Sequence, residues 1–133
     1  MKFGFIVPHL GCFGSIREII ELGNALVEYG HEVTIHHPEG TPCVWLPCKA
    51  SVTDLSFIEG YDLLLMVTEW RMSDYELLMM SEAKMKGVIL MGFAPSKDFV
   101  DALAGWPHSP KDGNKVLSMA LHNPDLYLFA DGS

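Results

Sequence analysis

The chain is poor in basic residues and in long apolar runs, and each shortage excludes a class of protein. It has 133 residues, with 9 Lys and Arg against 17 Asp and Glu, a formal net charge of −8. Wrapping nucleic acid or lying on an anionic membrane requires clustered Lys and Arg, so neither is an expected partner. No apolar run approaches the roughly 18–20 residues that span a bilayer, and the N-terminus lacks the small-residue cleavage site of a secretory signal.

Cysteine is also scarce, with Cys12, Cys43 and Cys48 as its three positions. An odd number of cysteines gives no indication of the disulfide framework typical of small secreted domains. Cys43 and Cys48 are not spaced as Cys-x-x-Cys, and no His cluster completes a zinc site around them. We therefore expect a cytoplasmic protein without a bound metal.

What the chain has is a clear order of elements in its first forty residues. An apolar strand over residues 3–7 is followed by a glycine-containing loop and by a helix that Ser15 caps, with Glu18 completing a capping box. Gly30 stands where a C-terminal glycine cap belongs, and the β-branched residues 32–36 predict a second strand. Strand, loop, helix, turn and strand form a βαβ unit, whose strands should be parallel.

The remaining sequence continues the alternation of strands and helices. We expect a helical turn at residues 56–60, strands at 62–68, 88–93 and 125–130, and helices at 73–86, 96–104 and 115–122. Gly23 lies in the middle of the apolar face of the first helix, which suggests a close approach of helix to sheet. The sequence predicts one α/β domain over residues 1–133. Its architecture should be Rossmann-like, a mainly parallel sheet of about five strands with helices on both faces.

In such a sheet, ligands bind beyond the carboxyl ends of the strands, which draws attention to the first loop. Gly11 and Gly14 let the backbone approach a ligand closely, and Ser15 opens a helix whose first N–H groups favour an anion such as phosphate. The spacing is neither the dinucleotide fingerprint nor a P-loop. A tight turn without any ligand therefore stays open as an alternative, and Glu18 would compete with an anion there.

Three other residues are candidates for the same edge of the sheet. His9 precedes the loop. It could act as a base, donate a hydrogen bond to a phosphate, or simply form a local hydrogen bond within the loop. Glu69 and Trp70 follow the third strand. There they would either contact a sugar or a nucleobase, or simply cover the edge of the sheet. No nucleophile elbow is present, so the sequence identifies no catalytic residue.

At this point the first forty residues resemble a known family. The segments that carry the resemblance are Phe3-Gly-Phe-Ile-Val-Pro, Leu10-Gly-x-Phe-Gly-Ser-Ile-Arg17, Glu21-Leu-Gly-Asn-Ala-Leu26 and Gly30-His-Glu-Val-Thr-Ile35. They are similar to the start of retaining glycosyltransferases of the GT-B fold, in the large family numbered four. That family opens with Gly-Gly-x-x-Arg, where this chain has Gly14-Ser15-Ile16-Arg17 with one substitution, and it has Ala at the position of Gly23.

The resemblance implies a two-domain enzyme with its active site in the cleft between the domains. The N-terminal domain would bind an acceptor, which the sequence does not identify, and the C-terminal domain would bind a UDP- or GDP-linked sugar. The first loop would contact the donor diphosphate, through backbone N–H groups at Gly14 and Ser15, with Gly11 and Arg17 beside them. His9, Glu69 and Trp70 would then lie on the acceptor side, and no cofactor beyond the nucleotide sugar is implied.

The chain departs from the family because the C-terminal domain and its pair of glutamates are missing. We therefore expect residues 1–133 alone to transfer no sugar. Two alternatives stay open. One is a stand-alone Rossmann-like module that binds a nucleotide or phosphorylated metabolite at residues 11–17. The other is a structural half-domain that forms a weak homodimer through its exposed cleft face.

Overall fold

A computed structural model describes residues 1–12, 14–67, 72–90 and 123–130, which contain six strands and two helices. In chain order the elements are β1 (Lys2–Ile6), α1 (Gly14–Glu28), β2 (Glu32–His36), β3 (Ser51–Thr53), β4 (Glu59–Val67), α2 (Met72–Met80), β5 (Glu82–Leu90) and β6 (Tyr127–Ala130). Neither of these two helices is long and apolar enough to cross a membrane.

The described strands form one sheet in the order β3-β2-β1-β4-β5-β6, and every neighbouring pair is parallel. From β1 at the centre, the chain adds β2 and then β3 on one side of the sheet. It then returns to the centre to form β4 on the other side of β1, and adds β5 and β6 beyond it. This arrangement confirms the predicted α/β Rossmann-like class, and its order is that of doubly wound nucleotide-binding folds. The sheet exceeds the expected five strands because β3, three residues long, lies in a segment predicted to be irregular.

The two helices cover opposite faces of the sheet, as predicted. On one face, Ile16 and Ile20 of α1 are fully buried and pack in a cluster with Phe5 of β1. On the other face, Leu78 of α2 packs in a second cluster with Ile6, the next residue of β1. Because successive side chains of a strand point to opposite faces, one central strand contributes to both cores.

The first helix ends in the glycine cap that the sequence predicts. Gly30 has a φ of 92°, and its N–H donates to the carbonyl of Val27 at 3.0 Å. The N–H of His31 donates to the carbonyl of Leu26, also at 3.0 Å. This pair of bonds is the Schellman motif, which turns the chain sharply into β2.

Gly23 lies where α1 packs against the sheet, but the packing does not require a glycine there. A Cβ atom at this position would lie 3.5 Å from Cγ1 of Val33 and 3.8 Å from Cβ of Ala50. These are ordinary van der Waals distances, so the packing leaves room for an alanine.

Residues 56–60 do not form the predicted helical turn. They belong to a five-residue connection, 54–58, and to the start of β4. Leu55 and Ile58 of this connection pack against the same cluster as α2. The connection therefore crosses that face of the sheet in place of a helix.

The predicted helix over 73–86 is too long, and the predicted strand over 88–93 begins too late. Helix α2 ends at Met80, and β5 begins at Glu82, where residues 82–90 pair with β4. Gly87 is therefore buried in the middle of a strand and does not end a helix. The predicted helices over 96–104 and 115–122 lie outside the described residues.

Candidate functional site: the loop between the first strand and the first helix

The candidate site lies at the point where the strand order reverses. Ile6, at the end of β1, pairs with His36 of β2 on one side and with Met66 of β4 on the other. After β1 the chain turns toward α1 on one face, and after β4 it continues to α2 on the other. Open parallel sheets bind ligands in the crevice that this divergence creates at the carboxyl ends of the strands.

The loop after β1 is bonded to the rest of the domain at its start and at its centre. The N–H of Val7 donates to the carbonyl of His36 at 2.9 Å. The carbonyl of Leu10 accepts a hydrogen bond from Nε1 of Trp45 at 2.8 Å. The N–H of Gly11 donates to Nδ1 of His9 at 3.0 Å. The last of these bonds joins His9 to Gly11, so the amide of Gly11 is already used within the loop.

Helix α1 begins at Gly14, one residue before the predicted cap. Ser15 is therefore the second residue of the helix. The first N–H groups of a helix have no carbonyl partner within the helix, and the helix dipole places partial positive charge there. Gly14 and Ser15 are thus the first two residues of the helix, and their predicted contact with an anion stays a prediction.

Arg17 is not turned toward the loop. Its Nε lies 3.0 Å from Oε1 of Glu21, one turn further along α1, and the Arg17 side chain is 62% exposed. An exposed ion pair of this kind contributes little to stability, so another anion can replace the Glu21 carboxylate as the partner of Arg17. Arg17 thus belongs to the first turn of the helix without joining the backbone groups of the loop.

Glu69 and Trp70, the other predicted acceptor-side residues, lie outside the described residues. Asp74 lies close after them in sequence and is buried in the first turn of α2. Helix α2 follows β4 as the loop follows β1, so the first turn of α2 lies at the same carboxyl-terminal edge of the sheet as the loop, although the two helices cover opposite faces.

Sequence reasoning missed a buried polar group next to the site, formed by His36 and Tyr61. His36 donates from Nδ1 to the carbonyl of Asp54 at 2.9 Å, and its Nε2 lies 2.5 Å from the hydroxyl of Tyr61. Burial lowers the pKa of His36 below its usual 6.5, although the carbonyl and charge of Asp54 partly oppose this shift. Burial also raises the pKa of Tyr61, so both groups are neutral. The sequence shows the two residues only as an isolated His-His pair and a strand tyrosine.

The thiols and histidines of the described segments do not form a metal centre. Within these segments, no three His, Cys, Asp or Glu side chains are grouped so as to hold an ion. His36 and His37 bind different carbonyls, His37 donating from Nε2 to Thr41 at 2.7 Å. Burial raises the pKa of the Cys48 thiol, which disfavours the reactive thiolate form.

Comparisons with models of known protein families, with curated proteins and with solved structures found no match to this chain.

Proposed function

We propose that this chain is the acceptor-side domain of a retaining glycosyltransferase that uses a UDP- or GDP-linked sugar. On this proposal, the loop between β1 and α1 contacts the diphosphate of the donor. The observation that carries the proposal is the position of this loop. It contains Gly11, leads into a helix that begins at Gly14, and lies where the strand order reverses. The resemblance of residues 1–40 to family four supplies the reaction class.

Physical chemistry supports a diphosphate at this place more than a neutral ligand. Backbone N–H groups at the start of a helix attract negative oxygen atoms, and α1 begins at Gly14, directly after the loop. The chain as a whole carries a net charge of −8, so an anion would be attracted to this place by local groups and not by the overall charge. Arg17 adds a guanidinium one turn into the helix, held by a surface ion pair that a diphosphate can replace.

A second candidate is a stand-alone module that binds a nucleotide or a phosphorylated metabolite. The strand order β3-β2-β1-β4-β5-β6 favours it, because this order is found in domains that bind a nucleotide on one sheet. The two proposals differ in affinity. A domain that supplies one wall of a cleft binds a nucleotide weakly, whereas a complete module binds it with micromolar affinity.

The test is a titration of the ¹⁵N-labelled chain with UDP, GDP, UDP-glucose, NAD and glucose 6-phosphate, followed by NMR. We expect the uridine or guanosine diphosphates to shift the amide signals of residues 9–17, with weak affinity, and the chain alone to transfer no sugar. Micromolar binding of one ligand would instead select the stand-alone module. Absence of any shift in residues 9–17 with all five ligands would overturn both proposals.

A matched pair of variants tests the contribution of Arg17. Glu21→Gln removes the partner of Arg17, and Glu32→Gln removes the same charge from an exposed position at the start of β2, the end of the sheet opposite the loop. We expect Glu21→Gln to tighten UDP binding about two- to fivefold, since Arg17 is then released toward the diphosphate. Equal effects of the two variants would indicate a general charge effect and would exclude a direct contact of Arg17.

A further inference from the structure

The peptide group between Leu10 and Gly11 is held by hydrogen bonds at both of its ends. Its carbonyl accepts from Nε1 of Trp45 at 2.8 Å, and its N–H donates to Nδ1 of His9 at 3.0 Å. Because a peptide group is planar, two bonds at opposite ends select one orientation of the plane. Glycine has no Cβ, so without such bonds the backbone at Gly11 has access to several orientations.

Trp45 reaches this peptide from a distant part of the chain. It belongs to a segment that we call the strap, residues 43–50, which is the second part of the connection from β2 to β3 and is bonded to α1. Asn24 of α1 fixes the strap by two bonds. Its Nδ2 donates to the carbonyl of Pro47 at 2.8 Å, and its Oδ1 accepts from the N–H of Lys49 at 2.7 Å. Lys49 also forms an ion pair with Glu28 near the end of the helix.

Apolar packing holds the indole ring in the same place. Leu10 is only 9% exposed and belongs to the core cluster on the α1 face. Trp45 and Leu46 of the strap pack against that cluster, while the neighbouring Val44 is almost fully exposed. The ring therefore has an apolar side in the core and an N–H at the loop, which is the usual arrangement of a partly buried tryptophan.

We propose that Trp45 is the positioning residue of the loop between β1 and α1. It does not contact the ligand. Trp45 fixes the orientation of the Leu10–Gly11 peptide. That peptide in turn directs the chain toward the N–H groups at the start of α1. The expected effect on binding rests on the proposed function: if the loop contacts a nucleoside diphosphate, loss of the indole N–H should weaken its binding.

The test compares Trp45→Phe with Val44→Ala. Phenylalanine keeps an aromatic ring in the core and removes the N–H, whereas Val44→Ala changes an exposed side chain of the same strap. We expect amide hydrogen exchange of residues 10–12 to become about five- to tenfold faster in Trp45→Phe, the effect of losing one hydrogen bond. UDP binding should weaken by a similar factor. Val44→Ala should leave both unchanged.

A second measurement on the wild-type chain does not depend on the variant folding. The indole N–H of Trp45 should exchange slowly, and it should show a scalar coupling across the hydrogen bond to the carbonyl carbon of Leu10. A rapidly exchanging, uncoupled Trp45 indole would overturn the inference. So would a folded Trp45→Phe chain whose loop exchange or UDP affinity equals that of the wild type.

The outcomes separate this inference from the proposed function. If the wild-type chain binds none of the nucleotides while Trp45→Phe still accelerates exchange in residues 10–12, the proposed function is wrong and the role of Trp45 in fixing the loop is supported. If the wild type binds UDP and Trp45→Phe changes nothing, the positioning role is wrong and the proposed function is supported.

Discussion

The hydroxyl oxygen of Tyr61 lies 2.5 Å from Nε2 of His36, although β1 separates the strands that carry the two residues. The ring of Tyr61 passes over Gly4 of β1, where a Cβ would lie 2.9 Å from two of its carbon atoms. Since Nδ1 of His36 donates to the carbonyl of Asp54, Nε2 carries no proton and accepts from the Tyr61 hydroxyl. Thr34 contributes a further hydrogen bond to the same hydroxyl group.

This arrangement predicts that the protein loses stability in weakly acidic solution. The pKa of His36 is lowered in the folded state, so below pH 6.5 the unfolded chain takes up a proton that the folded chain does not. The free energy of unfolding should fall by at most about 1.4 kcal/mol per pH unit, from pH 6.5 down to the folded-state pKa. Urea unfolding between pH 5 and 8 measures the slope.

The control for this pH dependence is His36→Asn, which keeps a donor for the carbonyl of Asp54 and does not titrate. It should flatten the profile between pH 5 and 6.5, whatever its own stability. Asp54 and Asp62 do not contribute to this slope, because their pKa values are lowered from 3.8 and their contributions to stability are lost only below that pH. A profile as steep in the variant as in the wild type would show that another group is responsible.

Tyr61→Phe should destabilise the fold by about 1–3 kcal/mol. The change removes the hydroxyl that donates to Nε2 of His36 and leaves that buried nitrogen without a hydrogen bond. Tyr29→Phe is the matched control, since Tyr29 is 82% exposed and its loss of a hydroxyl should change the free energy of unfolding very little. Equal midpoints of urea unfolding for the two variants would contradict the role given to the Tyr61 hydroxyl.

The sequence predicted the parts of the fold that local signals determine. Helix α1 has an amphipathic pattern and a glycine cap, and β2 was predicted with its observed bounds, Glu32–His36. Residues 82–86 were assigned to a helix because Met85 continues the apolar spacing of the helix before it and Gly87 could end a helix, yet pairing with β4 makes them a strand. Charged and apolar residues alternate in the sequence from Glu82 to Lys86, and this period of two was the signal that could have revealed the strand.

The candidate site was predictable in position but not in its contacts. Glycines after a first strand and before a helix indicate where an anion binds in a parallel sheet. The bond from Trp45 to Leu10 joins residues 35 positions apart, and no local pattern encodes it. Arg17 is a different case, because its partner Glu21 lies four residues along the same helix, a local spacing that the sequence shows, although the charge of Arg17 was predicted for the loop.

The two glycines Gly4 and Gly23 should respond oppositely to alanine. At Gly4, a Cβ would lie 2.9 Å from Cδ1 of Leu64 and from the Tyr61 ring, which the bond to His36 holds in place. Gly4→Ala should therefore cost about 1–3 kcal/mol through overpacking. Gly23→Ala should stabilise by about 0.5–1 kcal/mol, because the helix gains an alanine without a clash. Opposite shifts of the thermal midpoint are expected, and a stabilising Gly4→Ala would show that the tyrosine ring does not cross β1 as described.

Loosening the strap at Asn24 should lower stability without altering the sheet. Asn24→Ala removes both bonds to the strap, to the carbonyl of Pro47 and from the N–H of Lys49, and should cost about 1–2 kcal/mol in urea unfolding. Asn24→Asp keeps an oxygen for the N–H of Lys49 but no longer donates to Pro47, so its loss should be smaller. Protease cleavage within residues 43–50 should rise in the same order, from wild type through Asn24→Asp to Asn24→Ala. Equal cleavage of all three chains would mean that apolar packing of Trp45 and Leu46, and not the Asn24 amide, holds the strap on the helix.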